Sequence, residues 1–219
     1  VNLANGKVFF PEKVLFATGR AGNTAGLGLK EVGVAVNTKG DIMVNERFET
    51  TVPGISAAGD VIGPPRLASV SMEQARVAVC HAFGLRFKDK VDPLTPYCIF
   101  SIPEVAMVGL TEEQAREMGI EYEIGRGLFS VNSRARISGL HEGMLKLVFR
   151  CADRVLLGVH ILGEMASELI HQGQLVLHER GTIDRFIHMT FAVPSRSEAY
   201  KYAAYDGLAR LERRCCQLT

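Results

Sequence analysis

Thr51-Val52-Pro53-Gly54-Ile55-Ser56-Ala57-Ala58-Gly59-Asp60 carries a short apolar run into a Gly-Asp pair, and the chain then passes through Gly63-Pro64-Pro65 toward a helix opening near Leu67. A glycine at the carboxyl end of a strand lets backbone approach a ligand closely, and a carboxylate there accepts hydrogen bonds from a sugar hydroxyl, as at the crevice of an open α/β sheet. An ordinary strand-to-helix turn with a solvated aspartate would read the same over so few residues. The neighbourhood favours the first reading, because Leu15-Phe16-Ala17-Thr18-Gly19-Arg20 is a second apolar run that ends in glycine.

Working outward, Lys7–Phe10 reads as one arm of a hairpin and Lys13–Thr18 as a buried strand. Short strands are expected at Val34–Val36 and Ile42–Val44. Leu67–Phe83 reads as an amphipathic helix, with Val70, Val77, Ala78 and Phe83 at helical spacing. The charges and two prolines of Lys88–Pro96 mark a boundary. Beyond it the pattern becomes strands followed by helices, so the fold class is α/β changing to α+β with an antiparallel sheet. Strands are expected at Tyr97–Phe100, Ala106–Gly109, Tyr122–Phe129, Met144–Arg150 and Arg154–Leu162, with a tight turn at Cys151-Ala152-Asp153. Thr111-Glu112-Glu113-Gln114 is a capping box opening a helix that stops at Gly119, and further helices are expected over 164–178 and 196–213.

Composition narrows the class. The 219 residues are 47% apolar, enough for a sizeable core, and the net charge of +1 gives no electrostatic case for nucleic acid or an anionic membrane. No apolar run approaches the ~20 residues that span a bilayer, and no signal-peptide pattern is present. Cys80, Cys98, Cys151, Cys215 and Cys216 are odd in number and form no Cys-x-x-Cys pair, which argues against zinc and a disulfide framework and for a reduced, cytoplasmic setting. Cys80 reads as a packed thiol, and Cys215 and Cys216 as exposed. The sequence opens on Val1-Asn2-Leu3, with the expectation that it starts partway into its reading frame.

Several of these pieces, in order, resemble the carboxyl-terminal half of the pyridine nucleotide–disulfide oxidoreductase family, typified by dihydrolipoamide dehydrogenase and glutathione reductase. They are Ala17-Thr18-Gly19-Arg20 with Gly22-Asn23-Thr24, Gly28-Leu29, the Gly59-Asp60 element, Leu67-Ala68, Ser101-Ile102-Pro103-Glu104, Arg134-Ala135, Leu157-Gly158-Val159-His160, Ile170-His171-Gln172-Gly173-Gln174 and Glu198-Ala199-Tyr200. The resemblance implies the end of a two-dinucleotide-binding-domain flavoprotein. Residues 1–30 would be the tail of the NAD(P)-binding domain, 31–90 the returning segment of the FAD-binding domain, and 91–219 an α+β dimerisation domain forming a homodimer.

It also implies roles. Asp60, after Gly59, would hold the FAD ribityl chain. Leu67 and Ala68 would offer backbone N–H groups to the flavin's pyrimidine edge. Gly19 would admit the nicotinamide nucleotide, and Val193 and Pro194 would reach the partner subunit's flavin. Dithiol-using relatives carry an acid–base histidine in a His-Pro-x-x-x-Glu arrangement. Here Phe191-Ala192-Val193-Pro194-Ser195-Arg196-Ser197-Glu198 keeps the proline and glutamate but puts Val193 in the histidine's place. Valine carries no proton, and His188 falls outside the register. The resemblance therefore points to the branch that needs no disulfide step and exchanges hydride between NADPH and NAD+ on bound FAD, the Si-specific transhydrogenase reaction, with no catalytic side chain in this half. The alternatives are a dihydrolipoamide dehydrogenase-like reductase with an altered acid–base residue, or a non-catalytic dimerisation module.

The remaining polar residues have plainer readings. His171 reads as a hydrogen-bonded helix residue, His160 as an outward-facing strand residue, and Arg210–Arg214 as a solvated helix end. Arg134 and Arg136 suit either a cofactor phosphate or an interface salt bridge. No Gly-x-Gly-x-x-Gly is present; Gly26-Leu27-Gly28 and Gly125-Arg126-Gly127 both lack the third glycine. The chain by itself is accordingly expected to be inactive and to bind FAD weakly or not at all.

Overall fold

A computed structural model of the chain describes residues 1–217. Its backbone divides into two units, one from Val1 to Val91 and one from Asp92 onward.

The second unit is built on a five-stranded antiparallel sheet. Its strands are β1 (Tyr97–Ile99), β2 (Val105–Gly109), β3 (Tyr122–Leu128), β4 (Met144–Arg150) and β5 (Leu156–Leu162), in the order β1-β2-β5-β4-β3. The register aligns two apolar rows across it: Gly127, Leu145, Ile161 and Ala106, and Gly125, Leu147, Val159 and Val108. Because side chains alternate along a strand, both rows point to one face. There α4 (Ala166–His178) covers β2 and β5, and α6 (Glu198–Gln217) covers β3 and β4. The intervening row, Arg126, Lys146, His160 and Met107, belongs to the other face.

Small residues set the depth of the helix layer. A Cβ on Gly125 would stand 2.0 Å from the Ala203 carbonyl oxygen, and one on Gly127 2.2 Å from that of Ala199. Gly207 makes the same allowance for the Phe149 ring, at 2.6 Å. Ala199, Ala203 and Ala204 are fully buried, so α6 lies with its backbone almost on the sheet. The Gly-x-Gly of β3 is thus a helix-packing device.

Tyr200 ties α6 to α4. Its hydroxyl donates to the Leu169 carbonyl at 2.8 Å and accepts from the Gly173 N–H at 3.1 Å, entering the α4 ladder between residues four apart. Its ring stacks tilted on Phe186 of α5 (Asp184–His188), with centroids 4.6 Å apart. Burial pushes its phenol well above the ordinary value.

The expected strands and the Thr111 capping box of α2 (Glu112–Glu117) are present. α5 and the single-turn helix α3 (Ser133–Ser138) were not anticipated, each being too short for a helical period to register. His160 lies on the face away from α4 and α6, as an outward-facing strand residue should, but it is not fully exposed. It is half-buried beside the Lys146–Glu112 ion pair, with Nε2 3.1 Å from the Leu110 carbonyl oxygen. Arg210 and Arg214 are not simply solvated either, pairing with Asp206 and Glu121.

The first unit departs further from expectation. Its one long element is α1 (Ala68–Ala82), which buries Val70, Gln74, Val77, Ala78 and Cys80. Phe83 falls past its end and is exposed. Elsewhere isolated bridges replace the expected strands: Asn2 with Val8, Val36 with Ile42, Glu49 with Ser56. Lys13–Thr18 is not a buried strand; Leu15 is 90% and Phe16 85% exposed. A buried strand needs a ladder on its edges, and among the described residues no segment pairs with 13–18. Of the cysteines, Cys80 is buried and Cys216 exposed, while the expectation for the Cys215 side chain lies outside the described residues.

Two measurements test this account of the second unit. Gly127→Ala should cost about 3 kcal/mol by overpacking α6. Gly139→Ala, at a φ of 74° with nothing within 4 Å of the new Cβ, should cost only about 1 kcal/mol of left-handed strain. Urea midpoints that rank the two the other way would contradict the seam. His160 is held below its ordinary value chiefly by burial. The unfolded chain therefore takes up that proton first, so this contribution is whole above about pH 6.5 and is lost as pH falls through the folded value. Between pH 7.5 and 5.5 the wild type should lose more stability than His160→Gln, which keeps a donor for Leu110; equal losses would exclude the assignment.

Candidate functional site

The first unit builds its turn from Gly59 to Ala68. Gly59 takes a φ of 86°, and a Cβ there would meet the Ser71 hydroxyl at 3.2 Å. Its N–H donates to the buried Gln74 Oε1 at 2.7 Å, so the turn's backbone is pinned to the helix that follows. Asp60 opens a short three-ten turn, Asp60–Ile62, and its carboxylate is 34% exposed. Leu67 is the N-cap of α1 and supplies no side-chain hydrogen bond there, which leaves the first-turn N–H groups beginning at Ala68 without a side-chain partner.

Beneath this turn lies an ion pair that sequence reasoning missed. Asp41, 3% exposed, accepts from Arg66 at 2.6 Å and from Asn37 Nδ2 at 3.2 Å. Arg66 Nε also donates to the Asp60 carbonyl at 3.3 Å. Cβ atoms on Gly22 and Gly63 would press on Asp41 at 3.4 and 3.3 Å, so both glycines make room for the pair. The available signal was Asn37-Thr38-Lys39-Gly40-Asp41, an Asx turn whose Asn37 Oδ1 accepts the N–H groups of Lys39 and Asp41. A sequence marks the turn but not the burial of the carboxylate. Gly19 is exposed with a φ of 118°, and Arg20 beside it pairs with Asp60 at 3.0 Å. The structure therefore gathers Asp60, Leu67 and Ala68 at one turn and brings the residue after Gly19 to it.

This arrangement suits the flavin half of a dinucleotide. Asp60 offers a part-exposed carboxylate that it shares with Arg20, Gly59 keeps the turn free of a side chain, and α1 presents uncapped N–H groups with its positive dipole end.

Val193 and Pro194 lie in the second unit, on the loop that leads into α6. Val193 is 71% exposed and Pro194 is exposed. The loop behind them is firmly held. The Asn132 side chain donates to the Ser195 carbonyl at 2.8 Å, and Gln172 donates to the Ser197 hydroxyl at 2.7 Å. The Arg196 guanidinium is buried among the Leu140 carbonyl, the Ser138 hydroxyl and Glu164, over the Phe129 ring. Glu198 turns inward and accepts from the Ser133 hydroxyl at 3.0 Å and the Ser195 N–H at 3.4 Å. His188 is exposed at the end of α5, and His171 bonds Gln174 on α4 at 2.9 Å. Arg134 and Arg136 are exposed on α3. Among the described residues no group of three or more His, Cys, Asp or Glu could hold a metal, and no helix is long and apolar enough to cross a membrane.

Residues 95–204 match the pyridine nucleotide-disulphide oxidoreductase dimerisation domain, and residues 1–82 match the pyridine nucleotide-disulphide oxidoreductase domain. The chain belongs to the pyridine nucleotide-disulphide oxidoreductase family. Among curated relatives, the soluble pyridine nucleotide transhydrogenase of a Marinomonas species is 39% identical over 214 residues, and that of Ectopseudomonas mendocina 42% identical over 217. Each match covers 96% of this chain and 46% of the relative, so the chain spans about half the length of the curated relatives it matches. Among solved structures, the HOCl-induced flavoprotein disulfide reductase RclA of Escherichia coli is similar at a TM-score of 0.81 and 29% identity, covering 86% of this chain and 44% of that one. LpdA of Mycobacterium tuberculosis is similar at a TM-score of 0.79 and 28% identity, covering 93% and 44%. These likenesses place the α/β and α+β architecture within the family's fold.

Asp41→Ala would strand the Arg66 cation and should cost about 3 kcal/mol. The loss should be read locally, as faster amide exchange at Ile42, whose N–H bonds the Val61 carbonyl at 2.8 Å across the turn. Unchanged protection there would remove the ion pair from the site's support.

Proposed function

We propose that the chain serves an FAD-dependent oxidoreductase that moves hydride between NADPH and NAD+, the Si-specific transhydrogenase reaction. In this reading the enzyme is a cytoplasmic homodimer joined through residues 91–219. The observation that carries the reading is the loop ahead of α6. Its tip is apolar at Val193, and Glu198, which stands where disulfide-reducing relatives place the glutamate of their acid–base pair, is engaged by Ser133 and Ser195. A loop that ends in valine exchanges no proton with a thiolate but can bound the space around a ring. The names of the relatives near 40% identity support the same reading.

FAD, when bound, supplies the hydride acceptance and return. The chain's own residues would hold and shield it. Asp60 would accept from a ribityl hydroxyl beside Gly59, and the first-turn N–H groups at Leu67 and Ala68 would face the electron-rich edge of the ring. Gly19 would admit NAD or NADP, residues 1–30 and 31–90 being the ends of the two nucleotide-binding domains. Val193 and Pro194 would reach the partner subunit's site. The 219 residues hold no Gly-x-Gly-x-x-Gly turn, and the chain alone should bind FAD weakly and be inactive.

A second reading, a disulfide reductase, draws on the solved neighbours named flavoprotein disulfide reductase, at 29% identity. One experiment separates the two. Joined to the dinucleotide-binding half of the Ectopseudomonas mendocina relative, the chain should bind one FAD per subunit and reduce thio-NAD+ with NADPH. It should leave lipoamide and glutathione disulfide untouched, and Val193→His should not raise nucleotide exchange. Disulfide turnover without nucleotide exchange would reverse the choice, and FAD-dependent turnover by the 219-residue chain alone would refute its inactivity.

A further inference from the structure

Asn132 is fully buried and spends both ends of its amide. Its Oδ1 accepts the Ala135 N–H at 3.0 Å and caps α3, while its Nδ2 donates to the Ser195 carbonyl at 2.8 Å, 63 residues away in sequence. Ser133, next to it, donates to Glu198 at 3.0 Å, and the same carboxylate oxygen accepts the Ser195 N–H. The start of α3 and the start of α6 are thus joined by a chain of hydrogen bonds enclosing one residue, Ser195. That residue follows the exposed Val193–Pro194 tip directly.

Capping alone does not account for this. A cap on a six-residue helix needs only the Asn132 oxygen. The donor half of the amide and the Ser133 hydroxyl are both directed at the loop. A buried amide that has found a partner for each end fixes the orientation of both partners, because rotation of either one strands a polar group. We propose that Asn132 and Ser133 are positioning residues that hold the Val193–Pro194 tip in its working shape, Glu198 acting as the relay from Ser133 to Ser195. The proposal rests on the role given above to that tip. It assigns to Glu198 a task that needs no histidine, which is consistent with Val193 standing at the tip.

Asn132→Asp separates the two halves of the amide, keeping an oxygen for the α3 cap while removing the donor to Ser195. Ser133→Ala removes the relay at a half-buried position that tolerates it, and Ser133→Thr keeps the hydroxyl. In the 219-residue chain, amide exchange at Ser195, whose N–H is held by Glu198, should quicken at least tenfold in Asn132→Asp and Ser133→Ala. Exchange at Leu147 and Val159 should hold, and Ser133→Thr should behave as wild type. In the flavin-loaded fusion, kcat for hydride exchange should fall about tenfold at unchanged KM for either nucleotide. Exchange at Ser195 that does not change, or changes only in step with the sheet, overturns the proposal. So does quickened exchange there with wild-type kcat. A fusion with no turnover before any substitution defeats the functional reading instead, and the exchange at Ser195 then decides the positioning role by itself.

Discussion

The second unit depends on how closely a helix backbone can approach a sheet. Gly125 and Gly127 on β3 leave no side chain under α6, and Ala199, Ala203 and Gly207 leave almost none above it. Where such a gap closes, dispersion contacts form between backbones, and neither side has room to adjust. That fixes the height of α6 over the whole sheet. The height places the Tyr200 hydroxyl within reach of α4, and only there can it sit between the Gly173 N–H and the Leu169 carbonyl. Gly173 repeats the device, since a Cβ there would lie 2.6 Å from Val159 and 3.0 Å from the Tyr200 hydroxyl. Both long helices are thereby set against the sheet through residues that have nothing to offer but small size.

Much of this unit was legible in advance because its signals are periodic or local. Alternation along β4 and β5, with a turn at Cys151-Ala152-Asp153, predicts a hairpin. Thr111 and Gln114 predict a capping box, which forms with both of its hydrogen bonds. The purpose of Gly125 and Gly127 was not legible. The pair has the spacing of part of a phosphate-binding turn but lacks the third glycine. What fills the space above a strand is decided by register with β4 and by a helix some 70 residues later, and neither is written in the strand. The partial enclosure of His160 has a related reason. Alternation puts it correctly on the face away from α4 and α6, but the Leu110 carbonyl and the Lys146–Glu112 pair enclose that face locally.

The first unit illustrates the opposite limit. Lys13–Thr18 has the composition of a buried strand, yet composition states only what a segment tolerates. Burial and a ladder have to come from neighbours, and Leu15 and Phe16 remain open in this chain. The Gly59–Asp60 turn behaves differently because its support is polar and nearby. Gln74 holds the Gly59 N–H, Asp41 holds Arg66, and Arg66 holds the Asp60 carbonyl. The glycine and aspartate proposed for cofactor contact stand out in sequence at the end of an apolar run. The residues that keep them in place, Asp41, Arg66 and Gln74, do not, because a charged or amide side chain gives no sign in sequence of whether it faces water.

The same asymmetry runs through the loop before α6. Val193 and Pro194 stand out in sequence by what they replace and what they accompany, whereas Asn132 and Ser133 lie about sixty residues away in a segment with no recognisable period. An exposed tip cannot hold its own shape, since few of its contacts are with the rest of the fold. Its geometry has to be imposed from behind, by groups whose hydrogen bonds have no alternative partner. Buried amides and carboxylates do this better than apolar contacts, because they fail when misdirected rather than merely weaken. At a loop whose tip is valine and proline, the contribution of the surrounding polar side chains therefore lies one layer back from the surface, in orientation.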